Sequence, residues 1–414
     1  MTHNDWWAFS VEDDRADPDA NRLEDEAGAP LVGAVPGDRS ALDYAGYLGL
    51  EALLGAGTPS STVPDERAFV TVHQLCEVVF KQMTFDLAVI TATLEGVLGL
   101  EDKRRTALSL AQGEVDDEGS EAATVWRPAI TASNRLRHAA RRLLPPVMEL
   151  MGRNGEDDVL FSRVEFGHFR SHLEPSSGFQ AAQLRLIQRA LGKGPLLDVR
   201  VFPGDAYGHH YTGSPCGHVS LADPLVLRDG AETASPPASH PSSRVARLDA
   251  VAHALLAALP NLGRDLPPPP GIARIHLEDV ERAVSRFRAT LGPAGLEDEG
   301  AEAVARFRSD LEAAAAAENR RRESLGAARD GAYALQVRAP SSALAHVLAR
   351  VAATDSALHA PSDGSFLTVH RRTVRRHVAD ESGTGGGGMP YLVTSQRYLL
   401  PLFPALVAWQ DLEG

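Results

Sequence analysis

Residues 66–100 read ERAFVTVHQLCEVVFKQMTFDLAVITATLEGVLGL. Within them Phe69, Val72, Leu75, Val79, Phe80, Met83, Leu87, Ile90, Leu94 and Val97 recur at steps of mainly three and four. That spacing lines one face of an α-helix with apolar side chains, and it predicts a long core helix. Upstream, DYAGYLGLEALL (43–54) begins a helical pattern closed by the loop GAGTPSSTVPD. Downstream, ITASNRLRHAARRLLPPVMELM (130–151) and GFQAAQLRLIQRALG (178–192) continue it, the second ended by Gly192. The period returns in IHLEDVERAVSRFRATLG, AEAVARFRSDLEAAAAAENRRRESL and SSALAHVLARVAAT, and a last helix is expected around YLLPLFPALVAWQDL. No strand–helix–strand alternation and no internal repeat interrupts these segments. The expected fold class is all-α.

Two regions break the pattern. Residues 1–42, acidic and rich in Asp, Ala, Gly and Pro, read as an irregular N-terminal arm. Residues 193–275 carry ASPPASHPSS and DLPPPPG, so loops dominate there, apart from one helical stretch, VARLDAVAHALLAALP. The expected organisation is therefore the arm followed by one helical domain, 43–414, with an insertion at about 193–275.

Composition excludes several classes of function. The 414 residues hold 41 Lys and Arg against 55 Asp and Glu, a formal charge of -14. Such a balance repels a polyanion, and the dense basic runs RRTVRR and NRRRE sit at helical spacing, so no nucleic-acid partner is expected. No run of eighteen apolar residues is present, and the first residues lack a basic-then-apolar leader. With only Cys76 and Cys216 there is no disulfide framework. The expectation is a cytoplasmic protein without a membrane partner.

Several residue patterns carry potential chemistry. Phe69 and His73 stand at i and i+4, as do Phe166 and Arg170, so each pair shares a helix face about 5–6 Å apart at Cβ. Glu77 and Lys81 extend the first pair, which reads equally as ordinary helix support. His370 lies in FLTVHRRTVRRHV with Phe366 and Val374 on its face. Its imidazole can serve as a metal or haem ligand, or simply as a surface residue of a basic helix. The glycine run SGTGGGG (382–388) is a linker or a loop whose N–H groups close on a carboxylate; no Gly-Lys-Ser/Thr follows it. His209, His210, Cys216 and His218 fit no standard zinc spacing.

Taken in order, YAGYLGLEALL, FVTVHQLCEVVFKQ, FGHFRSHLEPSSGFQAAQLRLIQRALG, a histidine ahead of GTGG, and LFPALVAW resemble the tryptophan 2,3-dioxygenase family. The resemblance covers 43–100, 130–192 and 365–409, with SSGFQ and its upstream arginine its most specific part. It implies a helical bundle around haem b, with O2 as co-substrate and a small aromatic amino acid as guest. By that likeness His370 is the axial ligand to the haem iron, and Ser177 and Gly178 adjoin the cofactor. Arg170 and Thr384 hold the substrate's carboxylate and ammonium, while His73 faces the indole N–H. Phe69, Phe166 and Leu173 line the indole pocket. Tyr44, Tyr47 and Leu48 match residues that reach it from a neighbouring subunit, implying a homo-oligomer, dimer or tetramer. The implied reaction inserts dioxygen across the indole C2–C3 bond to give an N-formylkynurenine-type product.

The pattern also departs from the family. Valine stands at 79 where the family has tryptophan, and Phe366-Leu367-Thr368-Val369-His370 lacks two family arginines. These changes keep open a substituted tryptophan as substrate and a single-oxygen insertion giving an oxindole or hydroxylated ring. A non-catalytic haem protein is a further alternative, set against the retained clamp residues.

Overall fold

A computed structural model describes residues 48, 50–57, 59–111, 120–151, 168–169, 182–191, 247–259, 276–290, 326–359 and 364–370, with pairs at 23–24 and 30–31 and scattered positions between 245 and 323. The described chain is all-α, as expected. Among the described residues a two-residue antiparallel ladder pairs β1 (Leu23–Glu24) with β2 (Pro30–Leu31). It lies inside the segment expected to be an irregular arm.

The helices are α1 (Leu50–Gly55), α2 (Pro64–Leu98), α3 (Asp102–Ser109) and α4 (Glu121–His138). A π-helical turn, Ala139–Leu143, leads from α4 into α5 (Leu144–Glu149). Then follow α6 (Ala182–Ala190), α7 (Leu248–Ala257), α8 (Leu277–Thr290), α9 (Gly326–Arg338) and α10 (Ala343–His359). Residues 366–370 form a final described helical turn.

The long 66–100 pattern becomes α2, the axis of the molecule. Pro64 at its first turn is tolerated because that N–H has no intrahelical acceptor. Glu66 accepts from the backbone N–H and hydroxyl of both Ser60 and Ser61, at 2.5–2.7 Å, which anchors the entering loop. Met83, Leu87, Ile90 and Leu94 are fully buried and meet α4, which presents Trp126, Ala129, Ala132 and Leu136. Alanines on that face let the two backbones approach closely. Trp126 donates from Nε1 to the carbonyl of Leu108 at 2.9 Å, joining α4 to α3.

The segment expected as a helix from 130 in fact starts at 121, with Ser120 as its cap accepting from Ala123 N–H at 3.0 Å. The π turn has a local cause. Pro145 and Pro146 supply no N–H to the preceding carbonyls, and their rings crowd an α-helical turn. The Leu144 N–H reaches back to Ala139 O instead, widening the helix by one residue.

Two helices, α3 and α9, were not expected as separate elements. α9 crosses α7 so closely that a Cβ on Gly331 would lie 2.1 Å from Leu256 O. α10 packs on α4, and its first turn is tied to the end of α3 by Ala343 N–H donating to Ala111 O at 3.0 Å. α2 also contacts α6 and α7, so it touches most of what surrounds it.

Candidate functional site

One face of α2 carries the site. Phe69 and His73 come together as their spacing predicts, with ring centroids 4.1 Å apart. The Nδ1–H of His73 donates to the carbonyl of Phe69 at 2.8 Å, fixing the ring against its own helix. Burial pushes the His73 pKa below the usual imidazole range, only partly opposed by that hydrogen bond. The ring is therefore neutral at pH 7 and protonated at Nδ1. Its Nε2 carries a lone pair that takes no hydrogen bond among the described residues. Protein atoms crowd the ring while part of its surface stays accessible, as for a group lining a recess.

Phe169, fully buried, stands edge-on to Phe69 with centroids 5.4 Å apart. Sequence reading singled out Phe166 and Arg170 and passed over Phe169, the residue between them that reaches α2. The signal was available in the Phe-Arg pair itself. Ring packing of this kind contributes about 0.5–1.5 kcal/mol beyond area burial.

One turn beyond His73, Glu77 does not extend a ladder to Lys81. Gln183 of α6 instead donates from Nε2 to both the Glu77 carbonyl, at 3.1 Å, and its Oε2, at 3.0 Å. Burial raises the Glu77 pKa, with the Gln183 bond acting against it, and burial lowers that of Lys81. Cys76, buried against Met148 at 3.7 Å, has its thiol pushed up to about 12 by burial and by Glu77. It is an inert core thiol, not a nucleophile.

Phe80 follows on the same face, two turns after His73. Its ring meets Phe366 nearly at right angles with centroids 5.7 Å apart, and Phe366 in turn lies 5.8 Å from the His370 ring. Ser365 opens that last turn: its Oγ accepts from Thr368 N–H at 3.4 Å and donates to Thr368 Oγ1 at 2.9 Å. Phe366, Leu367 and Val369 are buried, while His370 is partly exposed. α2 thus bears the His73 cluster and the aromatic contact to the His370 turn on one face, about 10 Å apart along its axis by helical rise.

Leu48 is helical and 44% exposed. Tyr44, Tyr47, Phe166, Arg170, Leu173, Ser177, Gly178 and Thr384 lie outside the described residues, as do the glycine loop and the histidines at 209, 210 and 218.

Similarity to known proteins bears on this arrangement. No family model matches the chain. A tryptophan 2,3-dioxygenase of Anaeromyxobacter sp. (strain K) is 30% identical over 192 residues, 45% of this chain and 57% of the relative. One from Anaeromyxobacter dehalogenans (strain 2CP-C) is 29% identical over 225 residues, 52% of this chain and 70% of the relative. A third, from Bdellovibrio bacteriovorus, is 32% identical over 156 residues, 36% of this chain and 34% of the relative. The chain is similar to tryptophan 2,3-dioxygenases over about half its length.

The matched stretches span between about a third and seven tenths of those relatives, so the likeness does not by itself carry over a whole protein's activity. The residues present nonetheless suit a haem. A porphyrin supplies four iron ligands itself and asks of the protein one axial imidazole, flanking apolar surface and a shielded opposite face. His370, backed by Phe366 and Phe80, offers the first two. Among the described residues no three His, Cys, Asp or Glu side chains gather as a metal site built from protein ligands alone would require. Among them, too, no helix is long and apolar enough to cross a membrane.

Proposed function

We propose that this protein is a haem-dependent oxygenase of the tryptophan 2,3-dioxygenase kind, acting on L-tryptophan or a ring-substituted tryptophan and inserting dioxygen across the indole C2–C3 bond. The observation that carries the reading is the state of His73. A neutral ring with Nδ1–H committed to Phe69 O presents Nε2 as a hydrogen-bond acceptor beside an aromatic wall. An indole has one polar atom on its ring, an N–H donor, and otherwise needs apolar surface. The two match.

Haem b, when bound, supplies the iron that holds and activates dioxygen. His370 is the residue that would hold that iron. Arg170 and Thr384 fit the amino-acid end of the guest, since a guanidinium matches a carboxylate bidentately and a hydroxyl accepts from an ammonium. His73 orients the ring through its N–H, and Phe69 with Phe169 keeps water from the reacting carbons. Indole attacks through carbon, so no strong base is required, and a neutral histidine suffices.

A homo-oligomer is part of the same proposal. Leu53 and Leu54 of α1 and an outward stripe on α2, Leu75, Val78 and Phe85, are each at least 40% exposed, which suits burial against a second copy. Sedimentation at micromolar protein should report a dimer or tetramer.

The direct test uses protein expressed with haem supplied. Anaerobic ferrous protein should show a Soret shift on adding L-tryptophan, and under air a product two oxygen atoms heavier than the substrate. A product one oxygen heavier would replace dioxygenation with single-oxygen insertion. Absence of both haem and turnover would refute the proposal.

A further inference from the structure

We infer that α6 is a spacer that sets the separation between the two histidine-bearing parts of the site, with Gln183 and Gln188 as its positioning residues. The inference rests on the haem reading above.

Two glutamines of α6 make polar contacts, to different partners. Gln183 donates to the Glu77 carbonyl and carboxylate, one turn from His73 on α2. Gln188 reaches His359, the last residue of α10, with 3.2 Å between Gln188 Nε2 and His359 Nε2. His359 is fixed in turn from its other nitrogen, whose Nδ1–H donates to Asp355 Oδ1 at 2.8 Å. With Nδ1 protonated, Nε2 holds the lone pair that the Gln188 amide needs. Donors and acceptors agree along the whole chain Gln188–His359–Asp355, and all three residues are no more than 3% exposed.

The placement gives this network its meaning. Five residues of α-helix turn through about 500° and rise about 7.5 Å, so the two amides leave α6 on different sides. One side meets the helix of His73. The other meets the end of α10, just before the turn that carries His370. Packing alone would let three helices slide by fractions of an ångström. The Gln188 contact is buried and the Gln183 contact part-buried, and sliding would break both. A flat cofactor between the two histidines requires such a fixed gap.

The test measures haem retention. Wild type, Gln183→Met and Gln188→Met are loaded with haem, and its transfer to excess apomyoglobin is followed by the Soret band. Trp126→Phe serves as the control, because it loses a buried hydrogen bond far from α6 and lowers Tm without touching the spacer. Each glutamine variant is expected to release haem about tenfold faster than wild type, a factor worth about 1.4 kcal/mol. Trp126→Phe should stay within about twofold. Equal release rates in the glutamine variants and the control would overturn the inference.

Should either methionine variant fail to fold, wild-type hydrogen exchange decides. Adding haem to haem-free protein should protect amides of 182–190 together with those of 73–81 and 366–370. Protection of the other two segments without 182–190 would overturn the spacer while leaving the haem reading intact. A wild type that takes up no haem removes both.

Discussion

His73 and His359 are both surrounded by protein, and both have Nδ1 engaged on a group of their own helix. They differ at the other nitrogen. Nε2 of His359 meets Gln188 while Nδ1 holds a buried carboxylate, so every polar atom of the ring is used internally. Nε2 of His73 takes no hydrogen bond among the described residues, and the ring packs against Phe69. The part-exposed His73 ring leaves Nε2 free of the cost of a fully buried unpaired acceptor, about 1–3 kcal/mol, and open to a guest. Histidine content alone separates nothing; on the function proposed above, the second nitrogen divides a binding residue from a structural one.

The largest effect should come from extending the comparison to His370. If that imidazole is completed by iron, His370→Ala should lose the Soret band per mole of protein at least tenfold while the haem-free protein keeps its urea midpoint. An unchanged Soret intensity would place the iron ligand elsewhere. His359→Leu should do the reverse in kind. It takes one buried partner from the Asp355 carboxylate and one from the Gln188 amide, and the cost should be about 3 kcal/mol in urea unfolding, in the range for breaking a buried pair. A loss under about 1 kcal/mol would mean that His359 is not the committed residue its contacts suggest.

These two histidines also show what was legible in the sequence. Phe69 and His73 could be paired by eye because i, i+4 on a strongly periodic helix is a local relation. The His370 turn was found through its family likeness. By contrast, Gln183 lies 106 residues from Glu77, and Gln188 lies 171 from His359. No periodicity encodes such contacts; helix packing creates them. Asp355 and His359 were missed for another reason, since the apolar pattern that marks α10 fades before its last turn. Helix α9 was hidden by Gly326 and Gly331, which lower helix propensity, although Gly331 is what allows α7 to approach. The early start of α4 was hidden because alanines at 122, 123 and 129 fill most of its first core positions around Trp126, leaving no apolar period of large side chains.

A smaller change is expected at His73. His73→Ala should lower kcat/KM about tenfold, or ~1.4 kcal/mol, for one hydrogen bond to the indole N–H. Its urea midpoint should barely move, since Phe69 O remains within the helix. The pH profile refines this. Burial keeps the folded pKa of His73 below 6.5, so acceptance of the indole N–H should survive as pH falls through 6.5 and fail only further into acid. That acid limb should vanish in His73→Ala. A limb that stays belongs to another group.

Glu66 supplies the smallest and most local version of the contrast, a carboxylate with both oxygens used. Burial alone would raise its pKa, but four hydrogen bonds from Ser60 and Ser61 outweigh that and hold it at about 2. Because the folded pKa is depressed from 4.5, the resulting stability is fully present above pH 4.5 and is lost as pH falls toward 2. Glu66→Gln puts an amide N–H against donors that already point at it. At pH 7 the substitution should cost about 1 kcal/mol, modest because the loop of serines lies near the surface. The gap between wild type and Glu66→Gln should close as the pH is lowered from 4.5 to 2, by urea midpoints at each pH. A gap that stays constant would show that the loss is steric rather than electrostatic. His73 should then stand alone in titrating with function, while Glu66 titrates with the fold.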